Sequence, residues 1–268
     1  MNRSRKNGWK ISILPFFLFI LIPLVALLLR ANPGLILVAL QGETVRQAVI
    51  LSLSTSLVTV VVTFVFGTPV AYYLAHRHYT FHRLVDTLID LPTVLPPAVA
   101  GVALLMAFGR FGLVGQWLNL VGITIPFTSV AVIMAQTFIA APLYIKSAAQ
   151  GFASVDCELR KAAALDGATR WDTFRHIMLP MAFSSVFSGL VVTWARALGE
   201  FGATIIFAGN FPGRTQTMPL AIYIGFELDL NIALTLAVIL VGISFLVLVL
   251  VKWLLNTAVP LNPEDIYD

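Results

Sequence analysis

Charged side chains are scarce in this chain. Asp, Glu, Lys and Arg make up 11% of its 268 residues, where a soluble protein carries roughly 25%. A soluble domain so built would lack the polar groups to cover its surface. Disorder is excluded too, because it needs low hydrophobicity and 59% of these residues are hydrophobic. Cysteine is nearly absent: Cys157 alone rules out a disulfide framework, and in a cytoplasmic loop it stays reduced. No G-x4-G-K-[ST] phosphate loop occurs, so ATP hydrolysis is expected in another chain. No motif brings together a nucleophile, a base and an orienting group. No internal repeat or low-complexity tract is visible.

What the chain has is long apolar runs, with a mean hydropathy of +0.91. A transmembrane helix needs about 20 apolar residues. Six candidates are readable: 11–29, 47–75, 91–109, 127–146, 177–195 (running on to about 206) and 230–251. The first is too long for a signal-peptide core and lacks a small-residue cleavage site. Between the third and fourth, Gly112, Gly115, Asn119, Gly122 and Pro126 favour a loop. With the N-terminus inside, the inner segments hold Arg3, Arg5, Lys6, Lys10, Arg77, Arg83, Lys146, Arg160, Lys161, Arg170, Arg175 and Lys252, 12 in all. The outer segments hold only Arg30, Arg46, Arg110 and Arg214, 4 in all. That excess predicts cytoplasmic termini. The pI of about 9.4 reflects this bias rather than nucleic-acid binding. The expected organisation is all-α. It has cytoplasmic tails at 1–10 and 256–268 and one membrane domain over 11–255, in contact with the lipid bilayer of the plasma (inner) membrane.

The longest inner loop, about 147–180, is the most structured. Asp156–Leu165 reads as a short helix with Leu159, Ala162 and Ala163 on one face. Gly167 stands at a helix C′ position. Thr169 and Asp172 make an imperfect capping box, Trp171, Phe174 and Met178 share an apolar face, and Pro180 suits the first turn of the next span. Periodicity alone allows two readings: a helical hairpin lying on the membrane, or a cytoplasmic docking surface.

Ala162-Ala163-x3-Gly167-x9-Ile177-x-Leu179-Pro180 resembles the "EAA" loop of permease subunits of bacterial ABC importers. That resemblance implies a coupling helix seated in a groove of an ATPase subunit. Lys161 stands where the family usually has Glu; Glu158, one turn earlier, is the candidate replacement. A second stretch, Arg196-Ala197-Leu198-Gly199-Glu200-Phe201-Gly202-Ala203 with Phe207-Ala208-Gly209-Asn210 and Pro212 to Tyr223, is similar to molybdate and tungstate permeases. Sulfate permeases share its first part. Asp90-Leu91-Pro92 through Pro96-Pro97 and Gly101 fits the same group. The resemblance covers about 45–255. It implies a homodimer, separate ATPases that bind ATP and Mg, and an extracytoplasmic oxyanion-binding protein, with no cofactor in this chain.

Two polar features lie inside the spans. Arg196 and Glu200 are spaced i, i+4 and are expected on one helix face. They make either a structural ion pair or a pair lining the translocation route. Pro96 and Pro97, with Pro92, interrupt the third span, as a plain kink or as irregular backbone beside a water-filled cavity. His76, His78 and His82 bring a metal to mind, but with no firmly placed carboxylate beside them they read as an interfacial loop, and no metal is expected. A sulfate or thiosulfate permease and an integral-membrane enzyme are the competing functions. Molybdate or tungstate import is the leading one.

Overall fold

The computed structural model describes residues 8–30, 33–76 and 81–258. Residues 1–7 and 259–268, Arg77, His78 and the side chain of His82 lie outside the described residues, and with them most of both expected tails. The elements run α1 (Gly8–Arg30), α2 (Pro33–Gln41), α3 (Glu43–Ala75), α4 (His82–Val94), α5 (Pro97–Phe108), α6 (Gly115–Leu120), α7 (Ser129–Ala153), α8 (Cys157–Leu165), α9 (Arg170–Thr173), a π-turn (Phe174–Met178), α10 (Leu179–Met181), α11 (Phe183–Leu198), α12 (Gly202–Phe207), α13 (Met218–Leu228) and α14 (Leu230–Ala258). Among the described residues there is no strand.

Three helices are long and apolar enough to cross a membrane singly: α3, α7 and the Leu230–Val251 part of α14. Counting each of two bent pairs as one span gives up to five. The pairs are α4 with α5, at 115°, and Arg170–Met181 with α11, at 72°. The first expected span is helical, but its Leu14–Arg30 part falls among the shorter apolar helices.

Several boundaries are corrected. The expected span at 91–109 is two helices, because Pro96 caps and Pro97 opens a new helix after an extended Leu95. Pro92 does not break the chain and lies inside α4. The span placed at 127–146 runs on to Ala153, so the loop expected from 147 begins at Ser154. Its Lys146 ends nothing: it forms an ion pair with Asp86 and another, at 2.9 Å, with Asp90. The fifth span does not continue past Glu200; α11 stops at Leu198 and α12 is separate. The short helices α2, α6 and α13 were not anticipated.

α7 is the centre of the bundle, with α3 and α11 as its main neighbours. α3 turns small and hydroxylated residues into the bundle: Ser52, Thr55, Ser56, Thr59, Thr63, Gly67, Thr68 and Ala71 are buried at helical spacing. Lipid gives no hydrophobic drive for helices to associate, so close approach and hydrogen bonds take over. Thr59 donates to Gln136 Oε1 at 3.0 Å, Thr193 donates to the Ala140 carbonyl at 3.3 Å, and Thr55 bonds back to Leu51 O at 2.8 Å. The outer faces of α1, α3 and α14 expose large apolar side chains such as Phe16, Phe66 and Phe245.

Candidate functional site

Two interrupted helices meet at one place. The first break lies between α4 and α5, where Leu95 and Pro96 are extended. The second lies between α11 and α12, across Gly199, Glu200 and Phe201. Both approaches need glycine. A Cβ on Gly202 would stand 2.6 Å from Pro97 Cβ, and one on Gly101 would stand 2.8 Å from the Ala203 carbonyl oxygen. The helix carrying Pro97 and the helix following Glu200 are therefore in backbone contact.

Glu200 sits in the second break, 1% exposed. Its Oε2 accepts from Arg196 Nη1 at 2.6 Å and its Oε1 accepts from the Ala203 amide at 2.9 Å. A buried carboxylate is tolerable only when paired and hydrogen-bonded, and here both oxygens are used. Arg196 is different. Its side chain is 36% exposed, so the guanidinium reaches the surface of the chain while Glu200 anchors it from below. The expectation of one helix face is corrected in detail: Arg196 is in the last turn of α11, and Glu200 lies beyond that helix, folded back onto it. Pro96 and Pro97 are exposed beside the same junction. Nearby, Thr204 Oγ1 is buried without a hydrogen-bond partner.

The loop forms a second, separate region. Asp156 caps α8 by accepting from the Glu158 amide at 2.9 Å. Its end is a Schellman motif: Ala168 N–H donates to Ala163 O at 2.9 Å, Gly167 N–H donates to Ala164 O at 3.2 Å, and Gly167 has φ +86°. Thr169 and Asp172 then form a complete capping box. Asp172, in the charged first turn ahead of the apolar part of the bent pair with α11, has its carboxyl held below the ordinary range by hydrogen bonds from the Thr169 hydroxyl and then the Thr169 amide. No residue of α8 is buried; Glu158, Lys161 and Ala162 are exposed and Ala163 is partly covered. Ile177 and Leu179 are half-buried and Pro180 is exposed. The α8 face therefore has no covering within the described residues.

Aromatic rings tie this loop to the membrane helices. Phe174 lies 5.4 Å from Tyr72 of α3, 5.7 Å from Phe152 of α7 and 5.6 Å from Trp171, over a fully buried Met178. Sequence reasoning saw Phe174 and Met178 but missed Tyr72 and Phe152, whose role depends on where α3 and α7 end. It also missed the Lys146–Asp86–Asp90 group, for which the i, i+4 spacing of the two aspartates was an available signal. Of the histidines, His76 is in contact with Tyr72 and Arg160. Among the described residues no three metal-ligating side chains cluster.

The segment before α13 is structural in its local geometry. The Phe211 carbonyl accepts from the amides of Arg214, Thr215 and Gln216, and Met218 N–H donates to Ser52 Oγ at 2.7 Å. Thr215, Gln216 and Thr217 are all buried.

The chain as a whole is similar to known proteins. Residues 67–258 match the family described as binding-protein-dependent transport system inner membrane component. A probable transport system permease protein, NifC, of Clostridium pasteurianum is 40% identical over 238 residues, 88% of this chain and 83% of its own. The molybdenum transport system permease protein ModB of Escherichia coli K12 is 36% identical over 211 residues, 78% of this chain and 92% of its own. Among solved structures, a bacterial ABC transporter involved in the import of the acidic polysaccharide alginate superposes with a TM-score of 0.74 at 16% identity. It covers 94% of this chain and 96% of the matched one, a likeness of fold.

Proposed function

Since the chain belongs to the family of binding-protein-dependent transport inner membrane components, we propose that this multi-pass inner-membrane permease subunit imports a tetrahedral oxyanion, molybdate or tungstate. The name of the Escherichia coli relative supports that substrate. The single structural observation that carries a route for an anion is the partly exposed Arg196 held by a buried Glu200 where two interrupted helices meet. An unpaired arginine would hold a dianion and an unpaired glutamate would repel it. The neutralised pair offers guanidinium donors without trapping the ion. Broken helices beside a cavity are a recurrent device of transport sites.

In this reading two copies enclose the route, with Pro96, Pro97, Arg196 and Glu200 near their common axis. Six spans and cytoplasmic termini, as the charge bias favours, complete the topology. The chain is a transport subunit without its own ATPase site. ATP and Mg are held by separate ATPase subunits, and an extracytoplasmic binding protein delivers the anion. The exposed α8, with Glu158, Lys161, Ala162 and Ala163, docks on the ATPase. The Gly167 turn and Ile177, Leu179 and Pro180 carry its displacement to α11. Closure of the ATPase pair moves α8, and the Tyr72–Phe152–Phe174 cluster transmits that motion as a rigid body.

The test is ATP-dependent uptake into proteoliposomes containing the permease, its ATPase and its binding protein. Molybdate uptake competed by tungstate but not by sulfate is expected. Sulfate or thiosulfate uptake indifferent to molybdate would give the chain to the sulfate reading. Chemical turnover of a substrate by the purified chain alone would give it to the enzyme reading.

A further inference from the structure

Two cavities adjoin where α3 reaches the loop, and they share Tyr72 and Arg170. The first is a crevice of about 700 Å³ running along Phe64, Val65, Thr68, Pro69 and Tyr72 of α3, with Trp171 and Phe174 opposite. Phe64 to Tyr72 spans about 12 Å of helix, and the lining is almost wholly apolar. The second, about 760 Å³, is lined by Arg160, Lys161 and Arg170, with His76 and Cys157 beside them. Among the described residues no carboxylate forms an ion pair with any of these cations, nor with Arg175 at the edge of the crevice.

Arg160 is set rather than free. Its Nη1 lies 3.1 Å from His76 Nε2 and, having no acceptor of its own, must donate; His76 Nδ1 then donates to the Tyr72 carbonyl at 2.7 Å. Arg160 Nε is buried with no partner, and an unsatisfied buried donor is costly. The basic chamber therefore suits an anion, and the crevice next to it suits an apolar chain. A soluble oxyanion would satisfy only the first. The apolar helix face of a second copy would satisfy only the second. One amphiphile satisfies both.

We propose that this two-part cavity seats an anionic phospholipid, its phosphate among Arg160, Lys161 and Arg170 and an acyl chain along the Phe64–Tyr72 face of α3. Trp171, 64% exposed at the lip, stands where an aromatic ring sits at headgroup level. On the topology proposed above this is a lipid of the cytoplasmic leaflet, lodged between α8 and the membrane helices. The lipid then stiffens the element that receives the ATPase.

The unique Cys157 provides a direct readout, because it lines the basic chamber and is exposed. The full chain is reconstituted in nanodiscs of phosphatidylcholine alone or with phosphatidylglycerol, and labelled with uncharged N-ethylmaleimide. Phosphatidylglycerol should slow labelling and remain bound in native mass spectrometry. Arg170→Gln should weaken its retention about fivefold, the effect of one cation near an anionic surface. Val65→Trp should fill the crevice and abolish the protection with every cation intact. It also removes surface charge of the disc as the explanation, since that is unchanged. Equal labelling in the two lipids would overturn the proposal. So would protection that persists in Val65→Trp, protection by inorganic phosphate in phosphatidylcholine discs, or protection that follows dimerisation rather than lipid. All of these outcomes are independent of which oxyanion is transported.

Discussion

The loop from Asp156 to Pro180 and the junction around Glu200 are both interruptions of a helical chain, but they are held in opposite ways. In the loop each turn is closed by its own neighbours: Asp156 on Glu158, Ala168 on Ala163, Thr169 on Asp172. Its α8 face is left bare. At the junction the local side-chain bonds all end on the Glu200 carboxylate, from Arg196 and from the Ala203 amide; what joins the two breaks is tertiary. The break exists because Gly202 admits Pro97 and Gly101 admits Ala203. A region closed by local bonds can move as a unit while keeping its shape. A region closed by tertiary contact changes shape when its neighbour moves. On the function proposed above, the first would serve as a docking lever and the second as a gate.

The largest effects are expected at the junction, and they should be unequal. Arg196→Gln leaves an unpaired carboxylate at 1% exposure, a loss of roughly 3–5 kcal/mol by analogy with broken buried pairs. Glu200→Gln still offers an acceptor to the Ala203 amide, and Arg196 can turn to water, so roughly 1.5–3 kcal/mol is expected, the range for a charged hydrogen bond. The double change should recover abundance. Folded protein in the membrane, measured by fluorescence-detected size exclusion, should rank wild type and double variant above Glu200→Gln and Glu200→Gln above Arg196→Gln. Equal loss in the two singles would break the picture of a buried anchor and a partly exposed cation. Uptake by the double variant sharpens it: low transport at normal abundance assigns Arg196 to the anion.

Next comes the contact between the two breaks. Gly202→Val places new carbons against Pro97, and overpacking of this kind costs typically 1–3 kcal/mol. Reduced thermal stability with failed transport is expected. Unchanged uptake would show that α5 and α12 need not touch.

Gly167→Val tests the other region. A β-branched residue at φ +86° costs about 1–2 kcal/mol relative to glycine, and a Cβ there meets nothing within 4 Å. The damage is conformational and confined to the turn. The variant should insert in the membrane at normal abundance, while ATP hydrolysis by the assembled complex is uncoupled from uptake. Full coupling at normal abundance would remove the lever role.

The same contrast explains what could be read in advance. The loop was legible almost residue by residue, since caps, C′ glycine and capping box are rules about neighbours. The junction was legible only in its composition. Arg196 and Glu200 stand out as charges in an apolar run, and the one local sign that α11 stops at Leu198 is the Gly199 that caps it. Hydropathy is continuous through Leu91–Gly109, so one span was expected, although Pro96-Pro97 carried the signature of a helix start. Lys146 reads as a span end in the sequence because the charges that pair with it, Asp86 and Asp90, come from a helix placed only by folding. The aromatic cluster of Tyr72, Phe152 and Phe174 joins three segments, so no single window contains it.

The smallest expected effect lies in the capping box, and it has a defined pH sense. The Thr169 hydroxyl and amide hold the Asp172 carboxyl below its ordinary value of 3.8. A group whose pKa is lowered on folding stabilises the folded state above its unfolded pKa and loses that contribution as pH falls through the folded one. The box should therefore be fully effective at neutral pH and should weaken only below the usual carboxylate range. Asp172→Asn removes the charge at every pH. Melting of the solubilised permease, followed from neutral pH downward, should show wild type slightly above Asp172→Asn at pH 7, with the gap closing in strongly acidic solution. Because the group is exposed, salt should narrow the gap as well. A gap that widens on acidification would mean that Asp172 acts through something other than the Thr169 bonds. The loop would then not be closed by its own neighbours.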